Sequence, residues 1–515
     1  MERLPLSTRM MRRRNAGGPP ARYDVVRETG LEVPAADGTP LITDHYAPVT
    51  TDPSRTVVFR SPYGRGFPWN LLFGARFAEQ GFHVLLQSTR GTGGSGGEFH
   101  FWRNEAGDGQ ATIEWLRKQD WFDGTFATAG PSYFGYVQWH LALDPPPEWR
   151  AAVIQVPVHD PHGGFWGRGS FGLEMALVGG ISLVEQNLGP AGFTRALFRL
   201  ARHLRRVTRG VPLIEVYPRA FGGRRPSFEG WLTHPEAGDP YWAGSDVGAV
   251  AETITVPVSL TTGWHDLCLD QTLIQYDRLR RAGQNPPLRI GPWTHTAPFD
   301  RGGSAGFPWA LAHLRGEPRP VPVRVYVTGA GEWRDLPAWP PPSRDLPWQP
   351  VSEAASFTYD PADPTPSIGG KLQSRTAGAV DNRKLESRAD VRTFTSEPLT
   401  DPLEIAGPVR AEMAATTTAA SADLFVRLCD VDAGGRSVNV CDGLARIAGG
   451  TTTVEMSSAA HLFRPGHRMR LQVSGGAHPR FARNYGTGEP LATATRMVPA
   501  TTTVGPRSIV HLPVV

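Results

Sequence analysis

A serine lies in a short glycine-rich segment that directly follows a predicted strand. Ser132 is preceded by Gly130-Pro131 and followed by Tyr133-Phe134-Gly135, where a helix-like run begins. A serine on a tight strand-to-helix turn is held above its sheet, where the next backbone N–H and the helix N-terminus face a developing oxyanion. The segment departs from the pattern Gly-x-Ser-x-Gly, because its second glycine comes one residue late. On its own it is also compatible with a structural turn.

A nucleophilic serine needs a general base, and the base needs a carboxylate to orient it. Asp266 and His295 each follow a predicted strand, and they come after Ser132 in the chain order serine, acid, histidine. Each has an ordinary alternative, a helix cap for the aspartate and a loop position for the histidine. The rival bases His265 and His159 do not follow a later strand than the acid. The coincidence of three positions predicts a Ser132–His295–Asp266 triad.

A tyrosine follows the first strand of the same predicted sheet. Tyr63, in the segment Ser61-Pro62-Tyr63-Gly64, lies where a second oxyanion donor is expected. Its phenol could complement the backbone N–H of Tyr133. The alternative is a loop tyrosine that packs on Pro68 or Trp69.

Two other kinds of site find no support in the sequence. The glycine-rich segment Arg90–Gly97 lacks the Gly-Lys-Ser/Thr ending of a phosphate-binding loop. No cluster of His, Cys or carboxylate residues has the spacing of metal ligands. We therefore expect no cofactor and no metal.

The elements that must position these residues alternate between strands and helices. Helix-like segments between them are 69–80, 111–118 and 271–281. Such alternation predicts a mostly parallel sheet with helices on both faces, which is the α/β class. The strand-like segments are Thr56–Arg60, His83–Gln87, Thr125–Ala129, Val256–Thr261 and Leu288–Ile290.

The alternation stops twice along the chain, which predicts three parts. The α/β core takes residues 1–144 and 246–336, and a helical cap at 145–245 is inserted into it. Six prolines make 337–350 a predicted linker. Residues 351–515 hold short strands separated by Gly, Pro and Asp turns, which predicts a β-sandwich of the jelly-roll type.

Composition limits the classes of protein to which the chain can belong. Of 515 residues, 40% are hydrophobic, so large cores are available and wholesale disorder is excluded. The net charge is +4, and only three of the 53 basic residues are lysine. We attribute the arginine bias to base composition and expect no nucleic-acid partner. A basic helical run from Arg195 to Arg209 is interpreted as a solvated face.

Cysteine content and the apolar runs bear on location. Three cysteines without a Cys-x-x-Cys pair exclude a disulfide framework and a zinc ribbon. No apolar run approaches the ~20 residues that cross a bilayer. Arg12 to Arg14 have no apolar segment behind them, unlike a secretory leader. We expect a cytoplasmic protein with no membrane contact.

With these residues in place, the chain resembles the cocaine esterase / X-prolyl dipeptidyl-peptidase group of serine hydrolases, the CocE/NonD family. The late glycine after Ser132 is the form that this family uses. The similarity extends over most of the chain. The segments that carry it are Ser61-Pro62-Tyr63, Gln87 through Arg90-Gly91 to Gly97-Glu98-Phe99, Trp121-Phe122-Asp123-Gly124, Gly130-Pro131-Ser132-Tyr133-Phe134-Gly135, Gly263-Trp264-His265-Asp266, Gly291-Pro292-Trp293-Thr294-His295, Glu332-Trp333-Arg334 and Tyr359-Asp360-Pro361.

The resemblance implies an α/β-hydrolase core, a helical cap and a C-terminal jelly roll. It implies Ser132 as nucleophile, His295 as base and Asp266 as orienting acid. Tyr63 and the Tyr133 amide would form the oxyanion hole. The implied reaction is a two-step acyl transfer on a small-molecule ester or amide.

The sequence also departs from the family. Ser88 stands where the family usually has Asp. Members that recognise a substrate ammonium group need carboxylates in the pocket, whereas the cap segment here offers Phe165, Trp166 and Arg168, although Asp160 or Glu174 could serve. We expect the two aromatic residues to line an acyl pocket, with core packing as the alternative for Trp166. Arg168 is a candidate partner for a substrate carboxylate.

Four functions follow from this reading. The leading one is a serine hydrolase of esters with bulky or aromatic acyl groups. The second is an X-Pro dipeptidyl-peptidase or an amide or β-lactam acylase, and the third is an acyltransferase of natural-product metabolism. The fourth is a non-catalytic binding protein that uses its jelly roll. The basic cap helix and the β domain could both support a homodimer.

Overall fold

The structure is a computed structural model that describes most of the chain. It covers residues 1–515 apart from 5–18, 53, 183–190, 193, 196, 197, 199–201, 203, 205, 206, 222, 297–306, 318–321, 375 and 448. The predicted N-terminal basic segment, Arg12 to Arg14, lies outside the described residues. So does much of the predicted basic helix, including Arg199 and Arg206. No membrane-crossing helix is found, since none in the described part of the chain is both long and apolar enough.

The centre of the molecule is one twisted sheet to which eleven strands of the described chain belong. Their order across the sheet is β1-β2-β3-β5-β4-β6-β7-β8-β9-β10-β11. From β5 to β10 all neighbouring strands are parallel, and the outer strands are antiparallel. The strands are β1 Glu2–Arg3, β2 Val25–Pro34, β3 Pro40–Pro48, β4 Thr56–Ser61, β5 His83–Ser88, β6 Phe126–Pro131, β7 Trp149–Gln155, β8 Val258–His265, β9 Leu288–Thr294, β10 Val323–Val327 and β11 Glu332–Leu336.

Helices cover both faces of this sheet, because its central strands are buried on both sides. Every residue of β4, β6 and β8 is buried, because parallel strands between two helical layers meet apolar side chains on both sides. A π-helical turn at Asn70–Ala75 leads into the first short helix. The α-helices up to the C-terminal domain are Arg76–Ala78, Glu105–Leu116, Tyr133–Leu141, Pro161–Phe165, Leu173–Ser182, Val216–Phe221, Pro226–Thr233, Leu269–Arg281 and Phe307–Leu314; short 3₁₀ helices are Leu213–Glu215, Pro240–Trp242 and Gly248–Glu252.

The predicted cap boundary needs a correction. Residues 149–155 were placed in the cap, but they form β7, which lies between β6 and β8 in the central sheet. The apolar run Ala151–Ile154 is buried there. Prolines at 145–147 and 157 flank this segment. Because proline is typical of turns, the sequence pattern did not indicate a strand here. The helical insertion therefore begins after β7.

The C-terminal domain is a β-sandwich of two sheets with its own apolar core. One sheet has the order β12-β21-β15-β20-β13 with β18 beside β15, and the other has the order β14-β19-β16-β17. A short helix lies at Arg383–Glu386. The strands are β12 Arg344–Trp348, β13 Ala355–Tyr359, β14 Val391–Thr395, β15 Leu403–Thr417, β16 Ala422–Val431, β17 Ser437–Ile447, β18 Thr451–Phe463, β19 Arg468–Ser474, β20 Ala500–Val504 and β21 Ile509–Val514.

The predicted linker at 337–350 is also corrected. Strand β12 occupies Arg344–Trp348 and pairs antiparallel with β21, so this part belongs to the sandwich. Proline is tolerated there because β12 is an edge strand, where an N–H that faces solvent is not needed. Proline content alone thus overestimated the length of the connection.

Candidate active site

Ser132 lies on the turn between β6 and the helix Tyr133–Leu141. Its backbone has φ 57° and ψ −120°, a strained conformation for a residue with a side chain. Its N–H donates to the carbonyl of Gln155 on β7 at 2.8 Å, which ties the turn to the neighbouring strand. Strain of this kind persists where surrounding contacts fix it, and it projects the hydroxyl away from the sheet.

The two glycines around Ser132 have separate packing reasons. A Cβ at Gly130, whose φ is +140°, would collide with Phe134. A Cβ at Gly135 would come within 3.0 Å of both Ile154 and Pro157, so this glycine lets the helix approach β7. Phe134 itself is fully buried on the other side of the turn. The second glycine is therefore needed at 135, where the helix meets β7.

Asp266 and His295 follow adjacent parallel strands, β8 and β9, and their side chains meet. Asp266 Oδ1 lies 2.7 Å from His295 Nδ1 and also accepts from the Cys268 N–H at 3.0 Å. Asp266 Oδ2 accepts from the Thr262 hydroxyl at 2.7 Å. The carboxylate is completely buried, and these three donors fix its orientation. An aspartate held in this way can orient the imidazole and stabilise an imidazolium.

The two rival histidines lie in other surroundings. Burial lowers the pKa of His265 to about 4, and the charges that act on it belong to Asp442, Arg427 and Lys371 of the C-terminal domain. Burial likewise lowers the pKa of His159 to about 4. Both rings are neutral at pH 7, and His265 faces the sandwich.

The phenol of Tyr63 lies beside the serine. Tyr63 Oη is 3.3 Å from Ser132 Oγ, and the ring packs near Trp69 and Phe134. Burial raises the pKa of Tyr63, while hydrogen bonds with Ser132 and the Tyr133 backbone act in the opposite direction. The phenol therefore keeps its proton at neutral pH and can donate it. The predicted packing on Trp69 and the predicted position next to the serine are both observed.

The side chain of Tyr133 points away from Ser132 into a buried polar cluster. Its phenol donates to Glu105 Oε1 at 2.8 Å, and the Trp102 N–H reaches the same phenol at 3.4 Å. The other oxygen of Glu105 lies 3.3 Å from Arg60. Glu105 gives no functional signal in the sequence, since an acidic residue in the first turn of a helix is an ordinary feature.

One cluster in the described part of the chain has donor atoms that could hold a metal. It consists of Asp266, Cys268 and His295, whose ligand atoms lie within 4.8 Å of one another. Three donors already occupy the oxygens of the aspartate, so an ion would have to displace the imidazole. Burial raises the pKa of Cys268 well above its usual value, which keeps the thiol protonated. These residues fit an acid–base pair better than a metal site.

The three cap residues predicted to bind substrate lie in different surroundings. Phe165 lines a cavity of about 570 Å³ between the cap, the helix Leu269–Arg281 and the sandwich. Trp166 is buried, and its indole donates to the Trp231 carbonyl at 2.7 Å. Arg168 lines the cavity but is paired with Asp270 and bonded to Ser457. Asp160 and Glu174 also line this cavity.

Comparison with known proteins decides the family. The sequence model of the X-Pro dipeptidyl-peptidase (S15) family matches residues 37–297, and that of the X-Pro dipeptidyl-peptidase C-terminal non-catalytic domain matches 318–510. The chain belongs to the S15 family. The first match contains the serine, the acid and the histidine, and the second covers most of the sandwich.

Several relatives of this S15 member span nearly its whole length. The cocaine esterase of Rhodococcus sp. (strain MB1 Bresler) is 28% identical over 539 residues, which cover 90% of this chain and 93% of the relative. A putative serine esterase of Mycobacterium bovis is 23% identical, with 90% and 92% covered. An α-amino acid ester hydrolase structure has a TM-score of 0.79 at 22% identity, and it covers 97% of this chain and 99% of that one. An archaeal (Thaumarchaeota) aminopeptidase structure has a TM-score of 0.80 at 20% identity, with 97% and 98% covered.

This S15 protein is a serine hydrolase, and the fold is an α/β-hydrolase core with a cap and a C-terminal β-sandwich. This chain has Ser88 where the family usually has Asp, and a carboxylate is supplied nearby from another strand. Arg65 donates to Ser88 Oγ at 2.6 Å and to Asp44 Oδ1 at 3.1 Å. The carboxylate that balances Arg65 therefore comes from β3.

Proposed function

We propose that the chain hydrolyses carboxylic esters through an acyl-enzyme on Ser132. The observation that carries the proposal is the contact between Tyr63 and this hydroxyl at the sheet edge where the Asp266–His295 pair also lies. Tyr63 reaches it at 3.3 Å from the loop after β4, and the 2.7 Å Asp266–His295 pair follows β8 and β9. The ends of β4, β6, β8 and β9 lie at the same edge of a parallel sheet, where such sites are built.

In the proposed mechanism Ser132 Oγ attacks the ester carbonyl and its proton passes to His295. Asp266 holds the ring and stabilises the imidazolium. The Tyr63 phenol and the Tyr133 N–H donate to the oxyanion of the tetrahedral intermediate. His295 then returns the proton to the leaving alcohol oxygen as the ester C–O bond breaks. Water repeats the sequence on the acyl-enzyme and releases the acid.

Aromatic side chains favour a bulky or aromatic acyl group. Phe101 contacts the Tyr133 ring at a centroid distance of 4.8 Å and Trp231 at 5.4 Å, and Trp231 stacks on Phe165 at 4.6 Å. These packed rings connect the residue after the nucleophile to the wall of the cavity, whose lining does not include Ser132 itself. We propose Phe165 as part of the substrate site. Trp166, which is buried, would support that wall without contacting substrate. Arg168 could bind a substrate carboxylate only in competition with Asp270.

A second candidate is cleavage of an amide or peptide with a free amino terminus. Asp160 and Glu174 line the cavity and could bind an ammonium group. Burial raises the pKa of both carboxyls. An ammonium ion that paired with them would lower the pKa again. Turnover of X-Pro or amino-acyl amides at rates above those of acyl esters would favour this candidate. An acyl product formed only with an added amine or alcohol would favour acyl transfer.

The test of the leading proposal is covalent labelling with a fluorophosphonate together with a panel of aryl esters. We expect the unmodified protein to be labelled and active, and Ser132→Ala to lose both. Ser474→Ala is the matched control, since its buried hydroxyl donates to Gly476 at 3.0 Å within the sandwich. A folded protein that is neither labelled nor active would contradict the proposal and favour a binding protein.

Two predictions about the surroundings of the protein stay predictions. A small-molecule substrate agrees with the family, whereas the homodimer requires a measurement of mass in solution. We also retain the prediction of a cytoplasmic location, which fractionation of cells that express the protein would test.

A further inference from the structure

A buried carboxylate behind the serine turn takes no part in the proposed mechanism. Glu105 begins the helix Glu105–Leu116 and is 3% exposed. Its Oε1 accepts the Tyr133 phenol at 2.8 Å, and its Oε2 lies 3.3 Å from Arg60. A buried carboxylate needs partners of this kind to stay ionised.

The two partners of Glu105 lead to the two proposed oxyanion donors. Tyr133 directly follows Ser132 and supplies the backbone N–H. Arg60 is on β4, immediately before Ser61, whose hydroxyl accepts the Tyr63 N–H at 3.2 Å. One carboxylate thus contacts the residue that carries one donor and the strand that leads to the other.

Arg60 is itself held by hydrogen bonds, so it can couple the position of Glu105 to that of β4. Its Nε donates to Gln87 Oε1 at 2.8 Å, and its Nη1 donates to the Glu105 carbonyl at 3.0 Å. The Thr112 hydroxyl donates to the same Gln87 oxygen at 2.9 Å. These bonds connect β4, β5 and the helix Glu105–Leu116 under the serine turn.

Burial favours the protonated forms of both acidic groups in the cluster. Burial raises the pKa of Glu105, and the charge of Arg60 and the bond from Tyr133 act against that rise. Burial, and then the charge of Glu105, raise the pKa of Tyr133 well above its usual value. The phenol therefore keeps its proton and donates it to Glu105 Oε1.

A strained residue next to Tyr133 shows that the phenol is held from a second side. Trp102 has φ 71°, in the left-handed region, and its N–H points to the Tyr133 phenol at 3.4 Å. Its ring stacks on Trp242 at 5.5 Å and meets Tyr241 edge-on at 5.7 Å, both from the cap. Such strain persists only where surrounding contacts determine the conformation.

We propose that Glu105 is a positioning residue that holds the two oxyanion donors at a fixed separation. The proposal rests on the proposed function, because it assigns these donors to Tyr63 and Tyr133. Glu105 acts through the Tyr133 phenol and through Arg60. An oxyanion hole is effective when its donors are aligned before the charge develops, so loosening this connection slows acylation without weakening substrate binding.

The test compares Tyr133→Phe, Glu105→Gln and the double variant on an activated aryl ester. We expect each single variant to lower kcat on the order of 10- to 100-fold, with KM within about twofold. The rate of fluorophosphonate labelling should fall in parallel. Because both substitutions break one connection, the double variant should lose little more than the worse single one. Glu105→Asp keeps the charge and should recover part of the loss.

The matched control is Tyr136→Phe. Its phenol is also buried, contacts the Tyr133 ring at 5.4 Å, and donates to the Ser245 carbonyl at 2.6 Å instead of to Glu105. Equal loss of thermal stability in Tyr136→Phe and Tyr133→Phe, with kcat lowered only in the latter, supports positioning. Unchanged kcat in Tyr133→Phe and Glu105→Gln, or additive losses in the double variant, overturns it. No labelling of the unmodified protein contradicts the proposed function instead.

Discussion

At the scale of single residues, the serine turn shows how strain and hydrogen bonds act together. Ser132 is held at φ 57° by its bond to Gln155 and by the two glycines that flank the turn. Tyr63 Oη lies 3.3 Å from the hydroxyl. In the proposed mechanism the phenol is therefore positioned for an oxyanion before substrate arrives.

The first prediction concerns Tyr63→Phe. This change removes one donor and keeps the ring that packs on Trp69 and Phe134. We expect kcat to fall by about 10²–10³, with little change in stability, because the lost hydrogen bond is stronger in the transition state than in the ground state. Steady-state kinetics and a thermal melt check this. An increase in KM with unchanged kcat would mean that Tyr63 contacts substrate without stabilising the oxyanion.

The second prediction concerns Asp266→Asn. An amide cannot accept all three hydrogen bonds that the carboxylate accepts, and it no longer stabilises an imidazolium. We expect kcat to fall on the order of 10⁴-fold. Labelling by fluorophosphonate should slow but persist, because Ser132 remains. Labelling at the unmodified rate would remove Asp266 from the proposed triad.

The positions of the proposed triad residues could be predicted from the sequence because each follows a strand. Ser132, Asp266 and His295 stand just after β6, β8 and β9, and local patterns identify strands of this kind. Glu105 could not be predicted, since its importance depends on Arg60 and Tyr133, which are far from it in sequence. Only the packed structure brings these three together.

At the scale of elements, one carboxylate on the helix Leu269–Arg281 joins the three parts of the molecule. Asp270 pairs with Arg168 of the cap and, at 2.6 Å, with Lys371 of the C-terminal region. Ser457 on β18 contacts the same group. Burial lowers the pKa of Lys371 to about 8, so this ammonium depends on Asp270 for its charge.

The third prediction is that Asp270→Asn destabilises the protein by about 2–3 kcal/mol. The substitution leaves two cations without their carboxylate, and it costs less than in a fully buried pair because the Asp270 side chain is 31% exposed, whereas that of Lys371 is 6% exposed. Chemical denaturation measures the change. Asp277→Asn is the control on the same helix, because its pair with Arg281 is exposed and should contribute little to stability. Equal effects would show that Asp270 is only a surface charge.

The two strands that the sequence analysis assigned to the cap and the linker share a cause. Strand β7 is flanked by prolines, and β12 lies within a proline-rich run. Proline marks turns and edges in local patterns, whereas pairing with a distant strand decides whether a segment joins a sheet. The partner of β12 is β21, at the far end of the chain.

At the scale of the whole molecule, several histidines are buried without charge. Burial lowers the pKa of His45, His140 and His478 to about 3, and that of His159 and His265 to about 4. In the unfolded chain each would titrate near the ordinary value of 6.5. The unfolded state therefore binds more protons than the folded state between these limits.

The fourth prediction is a loss of stability as the pH falls from about 6.5 towards 4. Each buried neutral histidine contributes about 1.4 kcal/mol per pH unit to this slope within the window. Denaturation midpoints measured from pH 8 to pH 4.5 should be flat at first and then decline. His478→Gln should reduce the slope by one histidine's share. A stability that stays constant down to pH 4.5 would contradict the burial of these rings in neutral form.

The single carboxylate shared by cap, core and sandwich has a consequence for how the chain comes apart. A cluster of buried apolar side chains also runs from the central sheet through the cap to Ala460 and Ala482 of the sandwich. Neither outer part can leave without uncovering this surface and separating Asp270 from a cation. The three parts should therefore melt as one cooperative unit, with a single calorimetric peak in which the calorimetric and van't Hoff enthalpies agree.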